Sequence, residues 1–257
     1  RLLVDPKIPI KPEYSDTITR WDVPVETGKV TKGNLDSWVR TNTGGLVKGS
    51  GLTVTQDMKL VLQNAIIFAA KWLVPFKAND TIKYDFTKAD GTITRVDMMW
   101  LFQHHGPYIA SDGWQGVRLD YTDEELSAFI LIPDADLGEV PPTKLRQALS
   151  RLVTAQEQTA ILKVGLPKFK LTTSKDFKGF FTHVGLGEEA ELTKMTDLPT
   201  KIIQAVQQAF IVVDEEGTVA GAVTEVGVRA MATPMTGDIT IIADRPFYFI
   251  VGDAKTA

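Results

Sequence analysis

Few residues in the chain are equipped for chemistry. His104-His105 are two of its three histidines, the third being His183. Side by side they could offer two imidazoles to a metal. Successive side chains of an extended strand point to opposite faces, however, so the pair would not converge on one ion, and a polar strand end is the better reading. Glu215-Glu216 could serve as a general acid and base, but they diverge for the same reason and read as a solvated strand exit. Gly185–Ala190, "GLGEEA", matches a loose G-x-G-x-x-A. It follows a helical segment and opens none, so it reads as a helix C-cap and turn rather than a phosphate cradle. There is no G-x-S-x-G elbow, Walker A loop or H-E-x-x-H, and the absence of cysteine removes disulfides, thiolate nucleophiles and cysteine-based zinc sites. Asn79-Asp80-Thr81 is a glycosylation sequon only in a chain that is secreted. With no nucleophile set beside a base and no metal or cofactor set, the chain is read as not an enzyme, which leaves a binding or mechanical role.

Length and composition bound the class of fold. At 257 residues the chain suits one large domain or two small ones, with ample core. A net charge of −4 argues against a nucleic-acid partner, because no excess of Lys and Arg is available to neutralise phosphates. The longest apolar run, Ala65–Ala70, is far short of the ~20 residues that span a bilayer. The N-terminus, "RLLVDPKIPIKPEYSD", lacks the n-region and h-region of a signal peptide and reads like the middle of a longer chain.

The elements that must position any site are mostly strands. Arg1–Asp5 reads as a short strand ending at Pro6. Asn34–Thr43 has helical spacing at Leu35, Trp38 and Val39 and is stopped by Gly44-Gly45. Met58–Trp72 is apolar at nearly every position of its second half, as in a central strand covered on both faces. Strands are also predicted at "TRVDMMW", "GWQGVRLDY", "SAFILIP", "TAILKVGLPKFKL", the lead-in "KIIQAVQQAFIVVDEEG" and "RPFYFIVGD". Pro141–Thr154 is a helix with Leu145, Ala148, Leu149 and Leu152 on one face, and Asp176–Val184 is a short helix ending at Gly185. Strands dominate and helices do not alternate with them one for one, so the class is α+β.

The segment Val213–Phe247 is unusual: long, β-prone and without an obvious tight turn. Split by parity from Thr218 to Arg229, one face carries Thr218, Ala220, Ala222, Thr224, Val226 and Val228, and the other Val219, Gly221, Val223, Glu225, Gly227 and Arg229. Both charges lie on the second face, the alternation of a half-buried strand. Gly217 would be a flexible pivot, and Pro234 and Gly237 break the run beyond it. A plain hairpin strand would account for this; so would a segment exposed in one state that becomes a strand in another.

Here the residues resemble the serpin family. "FIVVDEEGTVAGAVTEV" (Phe210–Val226) is similar to the serpin hinge, and "ADRPFYFIV" (Ala243–Val251) to the strand after the loop. "LDSWVRTNTGGLV" (Leu35–Val47) resembles the helix F motif, and "LVLQNAIIFAAKWLVPF" (Leu60–Phe76) the third strand of the large sheet A; "SAFILIP" and "LPKFKL" are at home in the family too. Each motif alone is weak, but together, in the family's order, they are specific and span essentially the whole chain. The resemblance implies one serpin-like domain over 1–257, with a large central β-sheet A, smaller sheets B and C, surrounding helices and an exposed reactive-centre loop over about 217–243. By the family's pattern, the chain starts at the second A-sheet strand, without the N-terminal helices, and stops before the last B-sheet strand. It also has Gln207-Gln208 where the family has His-Lys, so Gln207 must satisfy the shutter's hydrogen bonds differently.

For function, the resemblance implies a suicide inhibitor of serine proteases. A protease attacks the loop and forms an acyl-enzyme, and the cut loop inserts into sheet A as a new strand. The hinge would be Glu216, Gly217, Thr218, Ala220, Gly221, Ala222 and Val223: small and free of charge or proline before Glu225. Such residues can enter a sheet without desolvating a charge or losing a ladder hydrogen bond. The family's hinge spacing puts the scissile bond at Met231–Ala232, with Arg229 and Met235 as rivals. The fourteen residues from Thr218 to Met231 span roughly 45 Å when extended. The apolar flank of Met231 suits elastase-, chymotrypsin- or subtilisin-like proteases, and Arg229 would suit a trypsin-like one. The resemblance further implies a monomer, extracellular or at the cell surface, with no cofactor, nucleic acid or membrane. A non-inhibitory serpin, acting as a carrier or chaperone-like binding protein, is the alternative.

Overall fold

In a computed structural model of the chain, the structure describes residues 1–65, 68–123, 125–156, 160–176, 178–183, 185, 192–199, 204, 206–218 and 239–253. In chain order the elements are β1 (Leu2–Val4), α1 (Pro12–Thr19), β2 (Val25–Thr27), α2 (Lys32–Asn42), β3 (Leu60–Leu62), β4 (Ala70–Lys71), β5 (Ile82–Thr87), β6 (Ile93–His104), β7 (Tyr108–Ser111) and β8 (Trp114–Asp120). There follow β9 (Leu126–Pro133), α3 (Pro142–Thr154), β10 (Leu162–Pro167), β11 (Phe169–Asp176), α4 (Lys178–His183), β12 (Val206–Val213), β13 (Gly217–Thr218), β14 (Ile239–Ile242) and β15 (Tyr248–Asp253). The α+β class read from the sequence holds.

The helices begin and end where local chemistry dictates. The Thr31 hydroxyl caps α2 by accepting the Asn34 N–H at 3.2 Å. Beyond its end Gly44 and Gly45 take left-handed φ values of +56° and +83°, and the Gly45 N–H donates to the Arg40 carbonyl at 2.8 Å. That is glycine closing a helix by a reversed turn. Pro141 and Pro142 open α3, and Gly185, at φ +80°, follows α4 as a left-handed cap, the rest of 185–190 lying outside the described residues.

The chain divides into two compact units, residues 1–67 with 171–211, and 68–170 with 212–257. In the first, β1 lies between β2, parallel to it, and β3, antiparallel. Leu3 packs with Leu35, Met58 and Val61, while Leu2 and Val4 pack with Ile18, so alternate residues of one short strand serve two clusters. The buried Arg1 guanidinium lies 5.1 Å from the Trp38 ring centroid and donates to Gln63, Glu26 and Asn34. In the second unit, one sheet has the order β14-β10-β6-β5 and another β15-β9-β8-β7. Ala148 and Leu152 of α3 pack on Trp114, Phe129 and Leu131, as the helical face read from the sequence requires.

One reading is corrected. Met58–Trp72 is not a single central strand: β3 pairs with β1, whereas β4, only Ala70–Lys71, pairs with β13. Leu62, expected to be covered, is 68% exposed. An apolar run states that burial is available; it does not fix which neighbours supply it or where pairing stops.

Candidate functional site

The site lies where β12 ends. Val213, 1% exposed, is its last residue. Asp214 then turns the chain: its Oδ1 accepts the N–H groups of Glu216 (3.0 Å) and Gly217 (3.2 Å), and its own N–H donates to the Gly217 carbonyl at 3.0 Å. A short acidic side chain satisfying the backbone two and three residues on is the usual way a tight reversal is made. The chain returns as β13, with Thr218 opposite both Val213 and Ala70, and Gly217 opposite Lys71. Gly217 and Thr218, expected from sequence to begin the hinge, are therefore strand, between the end of β12 and β4.

Gly217 is needed here for space. Its φ is not in the left-handed region, but a Cβ on it would lie 2.1 Å from the Ala70 carbonyl oxygen and 2.9 Å from the Lys71 Cα. The pivot expected from sequence is thus a point of close backbone approach, where only glycine fits. Thr218, 1% exposed, places its Oγ1 2.6 Å from the Tyr121 hydroxyl. Tyr121 is fully buried; its ring stacks on Trp72 (centroids 4.6 Å apart, planes at 9°) and meets the edge of Phe68 at 5.1 Å. Burial pushes the Tyr121 hydroxyl well above an ordinary phenol, with the Thr218 hydrogen bond opposing, so it stays neutral and available as a hydrogen-bonding group.

The turn itself is gripped. Trp72 donates its indole Nε1–H to the Asp214 carbonyl and its backbone N–H to the Glu216 carbonyl, each at 2.9 Å, and the Phe76 N–H reaches the Glu215 carbonyl at 3.0 Å. The Glu215 carboxylate, with a side chain only 15% exposed, pairs with the Lys168 ammonium at 2.7 Å and accepts from the Thr81 hydroxyl at 2.8 Å. Burial acts to raise its pKa, but the two donors outweigh burial and hold the carboxyl below the usual range. The solvated strand exit read from Glu215-Glu216 is therefore correct only for Glu216, which is exposed; Glu215 is a structural ion-pair partner.

This arrangement can hold a strand end in place; it has no nucleophile–base pair. His104 is buried at the end of β6 and His105 is exposed beyond it, so the two do not converge. Asn79 is exposed, and the Thr81 hydroxyl of its sequon is the one bonded to Glu215. Gln207 lies on β12, with its side chain outside what is described. Ala220, Gly221, Ala222, Val223, Glu225, Arg229, Met231, Ala232 and Met235 fall in 219–238, outside the described residues. Sequence reading missed Tyr121, Trp72, Lys168 and Thr81. The available signal was general: a Tyr or Trp within an apolar strand needs a partner for its polar end.

The family model described as Serpin (serine protease inhibitor) matches residues 1–257. The chain belongs to the serpin family. An uncharacterized serpin-like protein of fowlpox virus is 29% identical, over 99% of this chain and 75% of that relative. An uncharacterized serpin-like protein of Methanosarcina mazei is 27% identical over 96% of this chain, which spans 59% of that relative's length. A serine protease inhibitor of Rattus norvegicus is 29% identical over 87% of this chain and 55% of its own. Among solved structures, Serpin48 of the insect Tenebrio molitor is 25% identical with a TM-score of 0.76, over 97% of this chain and 70% of that one. Human glycosylated kallistatin is 22% identical with a TM-score of 0.80, over 99% and 70%. The serpin fold expected from the motifs is thus the fold the chain has. Among the described residues no helix is long and apolar enough to cross a membrane.

Proposed function

We propose that this serpin is an irreversible suicide inhibitor of serine proteases and not an enzyme. The supporting observation is the seating of Gly217-Thr218 as a strand paired to both β12 and β4. Residues that continue from a strand already in register can zip inward one pair at a time, and the small Ala220, Gly221, Ala222 and Val223 add no charge to desolvate. In this mechanism a protease serine attacks the Met231 carbonyl, the Met231–Ala232 bond opens, and the acyl-enzyme is carried away as the loop inserts. Distortion of the protease then stops deacylation. Arg229 and Met235 are the rival attack points. The partner is an elastase-, chymotrypsin- or subtilisin-like protease, or a trypsin-like one if Arg229 is read. The inhibitor works as a monomeric single domain with its reactive loop over about 217–243, outside the cell or at its surface, without cofactor, metal, nucleic acid or membrane.

Incubation of the full-length protein with elastase and subtilisin should give a covalent complex stable to SDS, with a mass that locates the cut bond. Cleaved protein without complex, across a protease panel, would sink the proposal. A non-inhibitory carrier would instead melt at the same temperature before and after loop cleavage, whereas insertion raises the melting temperature steeply.

A further inference from the structure

The three-stranded sheet of the first unit brings three loops to one end. β1 is parallel to β2 and antiparallel to β3, with Val4 opposite both Thr27 and Leu60. The loop leaving β1, the loop leaving β2 and the loop entering β3 must therefore emerge side by side. They are tied there by backbone bonds from Gly28 N–H to the Val4 carbonyl (2.9 Å) and from Asp5 N–H to the Lys59 carbonyl (2.8 Å). Each loop brings one lysine, Lys7, Lys29 and Lys59, to a cavity of about 420 Å³. Its wall includes buried Met58 and half-buried Val30 and Val54.

The charge in this cavity is one-sided. Among the described residues the only acid lining it is Asp5, one of whose oxygens accepts the Lys7 N–H at 3.0 Å. The Lys59 ammonium donates to the Gln56 carbonyl at 2.7 Å, and among the described residues none of the three lysines has an ion-pair partner. Three like charges around one concavity repel one another, and the field they create draws an anion. The apolar side chains below them would cover a ligand's hydrocarbon. We propose that this cavity binds a small organic anion, with a phosphate or carboxylate head among Lys7, Lys29 and Lys59 and an apolar body against Met58, Val30 and Val54. The loops are tied to one end of the sheet, so the backbone that carries the three lysines is in place before the ligand arrives.

Calorimetry on the full-length protein at low salt tests this with four probes: octyl phosphate and octanoate below their micelle concentrations, inorganic phosphate as head alone and octanol as body alone. One octyl phosphate or octanoate should bind per chain, the better of the two naming the head group. Binding should weaken with added salt and by about tenfold in Lys29→Glu or Lys59→Glu, with Lys29→Arg close to wild type. On the unaltered protein, the Met58 methyl resonance should shift on titration. Equal affinity for octanol, no effect of the charge reversals, or no saturable binding of either amphiphile would overturn the proposal.

Discussion

The Thr218 and Tyr121 hydroxyls lie 2.6 Å apart, both buried, and this contact fastens β13 to the body of its unit. Either hydroxyl can donate and the other accept. The pair is shielded from water, so losing one partner leaves the other unsatisfied, which costs more than the bond's net worth. Tyr121→Phe should destabilise the protein by about 1–3 kcal/mol. Tyr121→Phe combined with Thr218→Val should recover part of that loss. Urea unfolding of the four proteins in a double-mutant cycle measures the coupling, and strict additivity would show the contact to be without consequence.

Gly217→Ala should be costlier than a typical glycine-to-alanine change within a strand. The new methyl would sit on the Ala70 carbonyl, and backbone cannot rotate aside as a flexible side chain can. A loss of roughly 1–3 kcal/mol is expected, as for other overpacked sites. Amide exchange should quicken at Trp72, whose backbone N–H donates to the Glu216 carbonyl. Unchanged exchange there would mean that β13 does not depend on the close approach.

Acid should loosen the turn through Glu215. Its folded pKa is depressed by Lys168 and Thr81 against the effect of burial. Its contribution is therefore fully present above the ordinary carboxylate pKa and is lost as pH falls through the lower folded value. Glu215→Gln should cost about 1–2 kcal/mol at neutral pH and flatten the acid limb of the stability–pH curve. Parallel curves for the two proteins would exclude Glu215 as the source of that limb.

Thr218→Arg places a charge at a position 1% exposed. Burying it without a partner is unfavourable enough to push Gly217-Thr218 out of register with β12 and β4; in the proposed mechanism insertion would then lose its starting strand, a protease would finish hydrolysis first, and the protein would act as a substrate. Measured as moles of protein consumed per mole of protease inactivated, the ratio should rise several-fold. An unchanged ratio would contradict the proposed role of the hinge.

Legibility tracked how local each cause was. The Thr31 cap and the Gly44-Gly45 stop of α2, and the prolines and apolar face of α3, act within a few residues, so these two helices could be placed from the sequence; α1, whose N-cap Lys11 makes no side-chain hydrogen bond, was not read there. Met58–Trp72 could not be divided correctly, because its apolar content is the same whether it forms one strand or two. Glu215 looked solvated because Lys168 and Thr81 are distant in sequence and nothing in "VDEEG" announces them.

By itself the sequence determined the α+β class, the helices α2, α3 and α4, the family through motifs in its order, and the alternation that keeps both charges of 218–229 on one parity. These follow from short-range sterics, from periodicity and from the order of residues along the chain. Only the tertiary structure decided that Gly217 is required for closeness rather than freedom, that Tyr121 and Trp72 hold the turn, that Glu215 is paired, and that Lys7, Lys29 and Lys59 share a cavity. Each of those depends on which strand lies beside which, and pairing between segments far apart in sequence is fixed by packing of the whole unit, not by any one segment's composition.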